Sequence, residues 1–411
     1  MELKLKLKLS LGCALVLGAV CAPAYSQQLN CNKSFGFRAD VNGVTGQSLC
    51  ASKISTFIDA AKDFTLSNAA YGPTSAATAV GRLNDVNMVF RYDAGSNTLF
   101  YNFIELNESG SFTGATRDLS EEQFEDFVEK SDILGRLINY QAMNSPTSPI
   151  TGVGGAIPTI GAADFANSFD TMSNIGTVGQ SEAGNNNLIG IGLSYGSYNI
   201  AGTDDVQTMS IPLSYTVRND IDPRRQLVLS MPLTKITTGD AASYHGGLGA
   251  AYRFPLSDRW TITPGARYSI VASKDRATVA TVMSASLMST YVMPMGSYHL
   301  GIGNMVGVYK TGKFSTGEYE YDPDINLKMT RNGLLLAMPA TFFGSKLSGE
   351  VSLIDTRYLG DKPYVSSTQE IGLTLGTNKR AGNARSFTRM GLSYVRGRDT
   401  SGFTANLGFW F

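Results

Sequence analysis

The chain has 411 residues with 34 basic and 34 acidic side chains, which gives a formal net charge of zero. Loss of the first 26 residues removes three lysines and one glutamate, leaving 34 − 3 = 31 basic and 34 − 1 = 33 acidic residues. A net charge of about −2 argues against a nucleic-acid partner. Beyond residue 26, no apolar stretch approaches the roughly 20 residues that a transmembrane helix needs.

The first 26 residues have the organisation of an export signal. Lys4, Lys6 and Lys8 form its charged part, residues 9–20 its apolar part, and small residues at 22–26 offer a cleavage site. A lipid anchor on Cys21 is the alternative, but valine directly before it and glycine at −3 fit lipoprotein cleavage poorly. We therefore expect an exported protein from which residues 1–26 are removed.

Two cysteines, Cys31 and Cys50, remain after the signal, and they form an even pair in an oxidising compartment. We predict a disulfide between them that acts as a structural staple. A metal or redox pair is the alternative, but the spacing is not CxxC and no histidine or further cysteine lies beside them. We expect no metal site and no cofactor.

Residues 27–143 are predicted to form a small α+β domain. Periodicity indicates a helix over 52–64, and strand-like runs at 86–92 and 98–106 flank a turn signal at 93–97. Ser120 and Gln123 form a capping-box pattern that predicts the start of a second helix, with an apolar face reaching Ile138. The acids at 121–129 are expected to be solvated, the alternative being a surface that meets basic residues inside a barrel.

Residues 144–184 are predicted to connect this domain to the next one. The stretch 144–161 is rich in Pro, Gly, Ser and Thr, which is typical of a linker. A short helix over 162–172 follows as a candidate pore helix, placed just before the first strand of the second domain.

From about residue 188 the hydrophobic period is two, and the polar face is rich in Gly, Ser and Thr. Such runs predict twelve strands, at 188–200, 206–218, 225–236, 244–254, 259–271, 278–292, 296–310, 325–339, 347–356, 364–376, 385–396 and 402–411. The predicted fold class is an all-β transmembrane barrel of about 12 antiparallel strands over 185–411. A soluble sandwich is the alternative, but adjacent strands joined by short turns argue against it.

The strand at 325–339 changes phase, because its apolar residues are odd-numbered up to Met329 and even-numbered from Leu334. Gly333 beside this change predicts a β-bulge. The preceding connection, 311–324, carries four carboxylates and is expected to be a solvated surface loop. A contact with a divalent cation or a receptor is the alternative for this loop.

The last strand carries an apolar row at alternate positions. Phe403, Leu407, Phe409 and Phe411 share one face with Ala405. A lipid-facing row that ends in an aromatic carboxyl terminus is how outer-membrane β-barrels of Gram-negative bacteria usually end. We predict that these residues form a C-terminal assembly signal and that the protein lies in the outer membrane.

Five predicted inward positions are basic: His245, Arg253, Arg259, Arg267 and Arg389. A ring of such charges would favour anions in a pore. The alternative is that they pair with carboxylates such as Glu350 or with an inserted helix.

No pattern in the chain indicates an enzyme. Neither His245 nor His299 is followed at +2 by Ser in the HxS arrangement of outer-membrane phospholipases, and no GxSxG or HExxH motif occurs. We therefore expect a protein without catalytic activity.

Two motifs in the predicted barrel are shared with a known family. Residues 260–264 (WTITP) are similar to the strand motif W-x-hydrophobic-T-P, and residues 391–394 with 406–411 are similar to a closing hairpin. Residues 185–411 thus resemble the translocator β-domain of autotransporters. The resemblance implies a 12-stranded barrel, a helix threading the pore and an N-terminal passenger at the cell surface. The region before the barrel departs from the family pattern, because it is short and shows no repeated β-helix rungs.

Two functions stay open at this stage. The first is an autotransporter-like barrel that presents or exports its own N-terminal domain at the cell surface. The second is a porin or channel whose N-terminal domain plugs the lumen or stays periplasmic. The expected partners are outer-membrane lipid, the barrel-assembly machinery, periplasmic chaperones, and a surface ligand or small solute.

Overall fold

The chain folds into an N-terminal α+β unit followed by a closed barrel. The computed structural model describes residue 29 and residues 31–169, 187–222, 224–316, 319–342, 344–377 and 387–410. The predicted export signal at 1–26 and the terminal Phe411 lie outside the described residues.

The N-terminal unit is built on a sheet of seven short strands. They are β1 (Phe35–Val41), β2 (Val44–Thr45), β3 (Leu49–Ala51), β4 (Ala77–Leu83), β5 (Val86–Tyr92), β6 (Thr98–Phe103) and β7 (Glu108–Thr113). The strand order is β2-β1-β4-β5-β6-β7, and β3 also pairs with β1. The predicted hairpin is confirmed in β5 and β6, which pair antiparallel. The predicted disulfide between Cys31 and Cys50 is confirmed as well, with Cα atoms 5.8 Å apart.

Four helices accompany the sheet: α1 (Ile54–Lys62), α2 (Arg117–Lys130), α3 (Ile133–Asn144) and α4 (Ala156–Ser168). Short 3-10 turns lie at Phe64–Leu66 and Ile104–Leu106. None of the helices in the described part of the chain is both long and apolar enough to cross a bilayer.

The predicted capping box at Ser120 is wrong. The N-cap is Thr116, whose hydroxyl accepts from the backbone N–H of Leu119 at 3.3 Å, and the helix begins at Arg117. Ser120 is instead fully buried, donates to the carbonyl of Asn97 at 2.5 Å and accepts from the N–H of Gly114 at 2.8 Å. Its hydroxyl therefore fastens α2 to the sheet. The single helix predicted from Ser120 to Ile138 is two helices, α2 and α3.

Twelve strands close into an antiparallel barrel, as predicted. They are β8 (Leu188–Ile200), β9 (Val206–Arg218), β10 (Gln226–Thr238), β11 (Ala241–Pro255), β12 (Trp260–Ser273), β13 (Thr278–Met295), β14 (Tyr298–Gly312), β17 (Asn326–Phe342), β18 (Ser345–Gly360), β19 (Ser367–Thr377), β20 (Phe387–Gly397) and β21 (Thr400–Trp410). Pairing of β21 with β8 completes the ring. The connection predicted as a surface loop contains a small hairpin, β15 (Phe314–Thr316) and β16 (Tyr319–Tyr321).

The two faces of the barrel wall differ as the alternation predicts. Phe403, Leu407 and Phe409 of the last strand point outward and are 57%, 50% and 42% exposed. Thr261, Thr263 and other small polar residues point inward and are buried. Every strand of the ring is hydrogen-bonded on both sides, so the barrel leaves no open edge.

The β-bulge predicted at Gly333 is wrong. The register of β17 with β14 and with β18 is continuous past this residue. Odd-numbered residues face inward on both sides of Gly333, and Leu327, Met329 and Leu335 are all buried. The apolar pattern changes because the inward face is itself apolar near the start of β17, where it covers a second layer of protein.

The N-terminal unit covers one rim of the barrel. This covered rim carries the connections at 201–205, 239–240, 274–277 and 313–325, all of which contact the N-terminal unit. The opposite, uncovered rim is where β8 begins and β21 ends. The chain runs between the two rims by way of α4.

Candidate functional site

Helix α4 lies inside the barrel. Gly154, two residues before the helix, lies against Thr208 and Val206 at the covered rim. Near its end, the carbonyl of Ser168 accepts from Thr290 Oγ1 at 3.3 Å, in the half of β13 nearer the uncovered rim. At about 1.5 Å rise per residue, its 13 residues extend roughly 20 Å down the lumen. The helix packs against β12, β13, β14 and β17, so it lines one side of the wall.

The predicted linker and pore helix differ from the structure in position and burial. The helix starts at Ala156, six residues before the predicted start at 162. Pro158 does not prevent this earlier start, because it falls in the first turn, where proline is tolerated. Thr147, Ser148, Ile150 and Thr151 of the predicted linker are buried at the mouth of the barrel. The turn-rich composition of residues 145–155 therefore reflects a tightly folded segment at the barrel mouth, the plug segment, that leads into α4.

An apolar core joins the lumen to the N-terminal unit. Ile157, Ile160, Phe165 and Phe169 of the inserted segment are buried in one cluster with the inward-facing wall residues Val271, Val282, Met288, Met305, Tyr309, Leu327, Met329 and Leu335. Ile138 and Ala142 of α3 belong to the same cluster. Since this core spans both units, the barrel interior is packed on this side by the chain itself.

Glycines let α4 approach the wall closely. Gly303 and Gly333 are register partners on β14 and β17 and both face inward. A Cβ atom at Gly303 would lie 2.5 Å from Cδ2 of Phe169, and one at Gly333 would lie 2.8 Å from Cζ of Phe165. The two glycines therefore form a socket for these aromatic rings, which explains the glycine that the sequence pattern attributes to a bulge.

Of the five predicted lumen cations, three are buried on the inward face: His245, Arg253 and Arg267. Arg267 Nη2 donates to Asp164 Oδ1 of α4 at 2.6 Å, and Arg253 Nη2 donates to the carbonyl of Asn167. Both arginines therefore pair with the inserted helix, which is one of the alternatives that the sequence left open.

The other two predicted cations differ from each other. Arg389 forms an ion pair with Glu350, the carboxylate named as its alternative partner. Arg259 lies in the turn before β12 and is exposed at the uncovered rim. The five residues do not assemble into one ring.

Arg331 is an inward cation that the sequence analysis missed. Its Nη2 donates to Glu370 Oε2 at 2.6 Å and its Nη1 to Thr356 Oγ1 at 2.9 Å. The guanidinium also lies 5.2 Å from the ring centre of Phe165 on α4. Because the register of β17 is continuous, Arg331 faces inward like the other odd-numbered residues of this strand. A bulge at Gly333 would have placed the odd-numbered residues before it on the outer face, so the predicted bulge concealed Arg331 as a lumen residue.

The covered rim is held by a buried arginine in the turn between β12 and β13. Arg276 is fully buried, and its Nη2 donates to Ser34 Oγ at 3.0 Å and to Thr147 Oγ1 at 3.2 Å. Its carbonyl accepts from Asn84 Nδ2 at 3.1 Å, and Asn84 Oδ1 accepts from Gln141 Nε2 at 2.8 Å. This network links the sheet, α3, the plug segment and the barrel.

Further polar contacts fasten the N-terminal unit to neighbouring turns of the same rim. Asp204 accepts from Ser52 Oγ at 2.5 Å and forms an ion pair with Lys33. Asn139 Nδ2 donates to the carbonyl of Pro323 at 2.6 Å, in the connection that holds β15 and β16. The contacts are spread around the rim, so the N-terminal unit is fixed in orientation.

The acidic residues of α2 lie outside the lumen. Glu122, Glu125 and Asp126 are exposed, and the helix contacts β16 of the rim hairpin. Glu121 is half-buried and accepts from the hydroxyl of Tyr92 at 3.0 Å. Burial raises the pKa of Glu121 to about 7, with the neighbouring Asp118 and Glu125 acting in the same direction.

Within the described ranges, no group of three or more His, Cys, Asp or Glu side chains is close enough together to hold a metal ion. Of the four carboxylates predicted in the 311–324 loop, Glu318 lies outside those ranges. The candidate site is thus the occupied lumen together with the covered rim.

The barrel is similar in fold to solved outer-membrane proteins. It is similar to the β-domain of the Bordetella autotransporter BrkA, with 11% identity over 55% of this chain and 98% of that chain and a TM-score of 0.41. It is also similar to the translocator domain of the autotransporter NalP from Neisseria meningitidis, with 12% identity, 62% and 97% coverage and a TM-score of 0.44. The KdgM porin aligns at 10% identity over 53% of this chain and 97% of that chain, with a TM-score of 0.32. Neither a protein-family model nor a curated protein sequence matches the chain.

Proposed function

We propose that this protein is an integral outer-membrane barrel that presents its own N-terminal domain at the cell surface, with α4 threading and closing the pore. The observation that carries the proposal is the path of the chain. The N-terminal unit covers one rim, α4 descends through the lumen, and the first and last strands begin and end at the opposite rim.

The apolar outer wall supports a membrane location. Ile189, Leu248 and Leu373 are outward-facing aliphatic residues that are 48%, 68% and 59% exposed, on strands far apart around the ring. Soluble proteins rarely expose so much contiguous apolar surface. A closed ring also satisfies the backbone hydrogen bonds of every strand, as hydrocarbon requires.

The longest connection of the barrel supports an orientation with the covered rim outside. Bacterial barrels have short periplasmic turns and longer extracellular loops. The longest connection between barrel strands, 313–325 with its own hairpin, lies on the covered rim. The connections of the uncovered rim span two to nine residues and include the turns 256–259, 296–297 and 343–344. The covered rim is therefore the better candidate for the extracellular side.

Site-specific proteolysis on intact cells tests this orientation. A protease site inserted between Gly95 and Ser96, in the exposed turn of the N-terminal hairpin, is expected to be cut by protease added outside. The matched control carries the same site between Gly296 and Ser297, in a turn of the uncovered rim, and is expected to be cut only after the outer membrane is permeabilised. The reverse pattern would overturn the proposal.

A plugged channel is the second candidate, and the occupied lumen favours it. Val282, Met305 and Leu335 of the wall are buried against α4, so an open pathway on this side requires removal of the helix. Planar-bilayer conductance of the full chain is expected to be low and to rise when residues 27–184 are deleted. Equal conductance of the two proteins would remove the plug from consideration.

A further inference from the structure

A row of polar side chains crosses the outer face of the barrel wall. Asn304 of β14 pairs in register with Asn332 of β17, which pairs with Asp355 of β18, which pairs with Gln369 of β19. All four point outward, the same direction as the apolar residues of the belt. Their neighbours Leu334 and Leu353 in the adjacent row are 47% and 53% exposed.

The register places the middle of this row well inside the belt. Towards the preceding strands, the same row of register partners continues from Asn304 through Ser289 and Ile262 to Phe254, which lies next to the uncovered rim. Followed forwards, it passes through Arg396 to Ser401, next to the covered rim. Asn304 and Asn332 therefore lie near half the height of the wall, where unpaired amides facing hydrocarbon are unfavourable.

These side chains line a groove of about 390 Å³ on the outer wall. Asn304, Asn332, Asp355 and Gln369 contribute amide and carboxylate groups to it, and Ile302, Leu334 and Leu353 contribute aliphatic surface. Gln369 Nε2 donates to Asp355 Oδ1 at 3.1 Å, which leaves the carbonyl of Gln369 and the second lone pairs of the carboxylate to accept from a ligand. The groove therefore offers both hydrogen-bonding groups and apolar contact to a ligand that lies in the membrane.

Three cations lie between this groove and the covered rim. Lys310, Lys328 and Arg357 are outward-facing and exposed, each within three residues of the rim end of its strand. Lys328 pairs with Val308 and Leu359, which makes it the diagonal neighbour of Lys310 on one side and of Arg357 on the other. Diagonal neighbours in a sheet are about 7–8 Å apart. Lys310 and Arg357 lie on opposite diagonals of Lys328, so one anionic group contacts all three from a position over Lys328.

The lysines of this cluster have no competing ion-pair partner in the part of the chain that the structure describes. Among the described residues neither Lys310 nor Lys328 forms an ion pair, and Arg357 donates its Nε to Asp355 at 2.8 Å while its side chain stays 67% exposed. A second carboxylate lies at the rim end of the cluster, because Asp361 accepts from the N–H of Asn326, the register partner of Lys310, at 3.2 Å. Three cations facing two carboxylates still leave a net positive surface at the level where a lipid headgroup would lie.

We propose that this groove and its cation cluster bind a phosphate-bearing glycolipid of the outer leaflet. The phosphate contacts Lys310, Lys328 and Arg357, and amide and hydroxyl groups near the start of its acyl chains hydrogen-bond to Asn332, Asp355 and Gln369. A second copy of this chain fits less well, because a two-fold contact would bring two sets of the same cations together. The choice of leaflet rests on the proposed function, which has the covered rim outside.

Thermal stabilisation of the purified full-length protein in detergent tests the site, with purified lipopolysaccharide as the probe. Ligand that binds only the folded state raises the unfolding midpoint in a concentration-dependent way. The double variant Lys310→Gln/Lys328→Gln is expected to bind about twenty-five-fold more weakly, from roughly fivefold per lysine. The matched control is Lys235→Gln, an exposed outward-facing lysine on β10 whose register partners are Met209 and Tyr244, and its binding is expected to be unchanged.

Two further measurements identify the ligand class. Dephosphorylated lipopolysaccharide is expected to lose the same factor as the lysine variant, and Asn332→Leu is expected to reduce the preference for lipopolysaccharide over phosphatidylglycerol. Equal binding by the lysine variant and the wild type would overturn the site. Binding of phosphatidylglycerol as tight as that of lipopolysaccharide would overturn the glycolipid while leaving the cation cluster, and the protease experiment above tests the orientation independently.

Discussion

Asp164 of the inserted helix accepts two hydrogen bonds from Arg267 of the barrel wall, from Nη2 at 2.6 Å and from Nε at 3.2 Å. The arginine side chain is 2% exposed and the carboxylate 15%, so the pair is shielded from water. A polar pair in this position fixes the rotation and depth of α4, which apolar packing alone would leave less well defined.

Breaking this pair from one side is expected to destabilise the protein. Arg267→Met leaves the buried Asp164 carboxyl without its partner, at a cost of about 3 kcal/mol. The temperature at which the heat-modifiable folded band disappears on a gel should fall. The double variant Asp164→Leu/Arg267→Met should recover most of the loss, and Arg396→Gln, on the outer face, serves as the control. A double variant as unstable as the single one would contradict this account.

The glycine socket predicts a steric effect with a compensating change. Gly303→Ala places a methyl group 2.5 Å from the Phe169 ring, and the displaced helix should cost about 1–3 kcal/mol. Addition of Phe169→Ala should relieve the clash, so that the second change costs less in the Gly303→Ala background than alone. Gly349→Ala is the matched control, because its nearest neighbour would be 3.5 Å away. Purely additive effects on the unfolding temperature would argue against the socket.

Docking of the N-terminal unit depends on Asn84. This residue has a positive φ of 49° and bridges Arg276 and Gln141, so Asn84→Ala loses two hydrogen bonds and adds backbone strain, about 2 kcal/mol together. Zero-length carbodiimide cross-linking between Lys33 and Asp204 should decrease in the variant. The cross-link between Lys62 and Glu125, 3.4 Å apart within the N-terminal unit, should not change. A parallel decrease of both products would mean that the unit unfolds and does not merely undock.

Stability of the N-terminal unit is expected to depend on pH through Glu121. Its pKa is about 7 in the folded protein against 4.5 as the ordinary value, so the folded state binds the proton more tightly than the unfolded state. Lowering the pH from 8 through 7 towards 5 therefore stabilises the unit, by about 1–2 kcal/mol once solvent screening of this half-buried group is allowed for. Hydrogen-exchange protection of the β5 amides, corrected for intrinsic rates, measures the effect. Glu121→Gln keeps the Tyr92 contact and should flatten the pH dependence, and an unchanged slope would exclude Glu121 as its source.

The sequence predicts the barrel strands well because each has one face on a uniform apolar exterior. The predicted bounds of β8 and β9 agree with the structure residue for residue. The N-terminal strands were harder to recognise. β1 alternates Phe35, Phe37, Ala39 and Val41, all fully buried, and the turn signal Asn42-Gly43 follows it. The partner strand β2 has only two residues, both exposed, so no apolar alternation follows this turn as it does in the hairpin of β5 and β6.

The sequence does not predict which residues face the lumen where the inner face of the barrel is itself apolar. Leu327 and Met329 face inward against the plug and Leu334 faces outward, and all three are aliphatic, so the pattern of polarity reverses although the strand is regular. Helix α4 has buried Ile160 and Phe165 on one side and Ala162 and Ala163 on the other. The two sides differ little in polarity, so the helical periodicity is weak in the sequence.

By itself, the sequence determined the strand count, the period of two, the disulfide pair and the presence of two different units, because these depend on local alternation and on composition. Only the tertiary structure decided that the lumen is filled, that Arg267 meets Asp164, and that the N-terminal unit covers one rim. Each of these depends on residues about 100 or more positions apart in the chain. The polarity of a residue indicates whether it faces a polar or an apolar environment, whereas the particular residues that it contacts depend on how the whole chain folds.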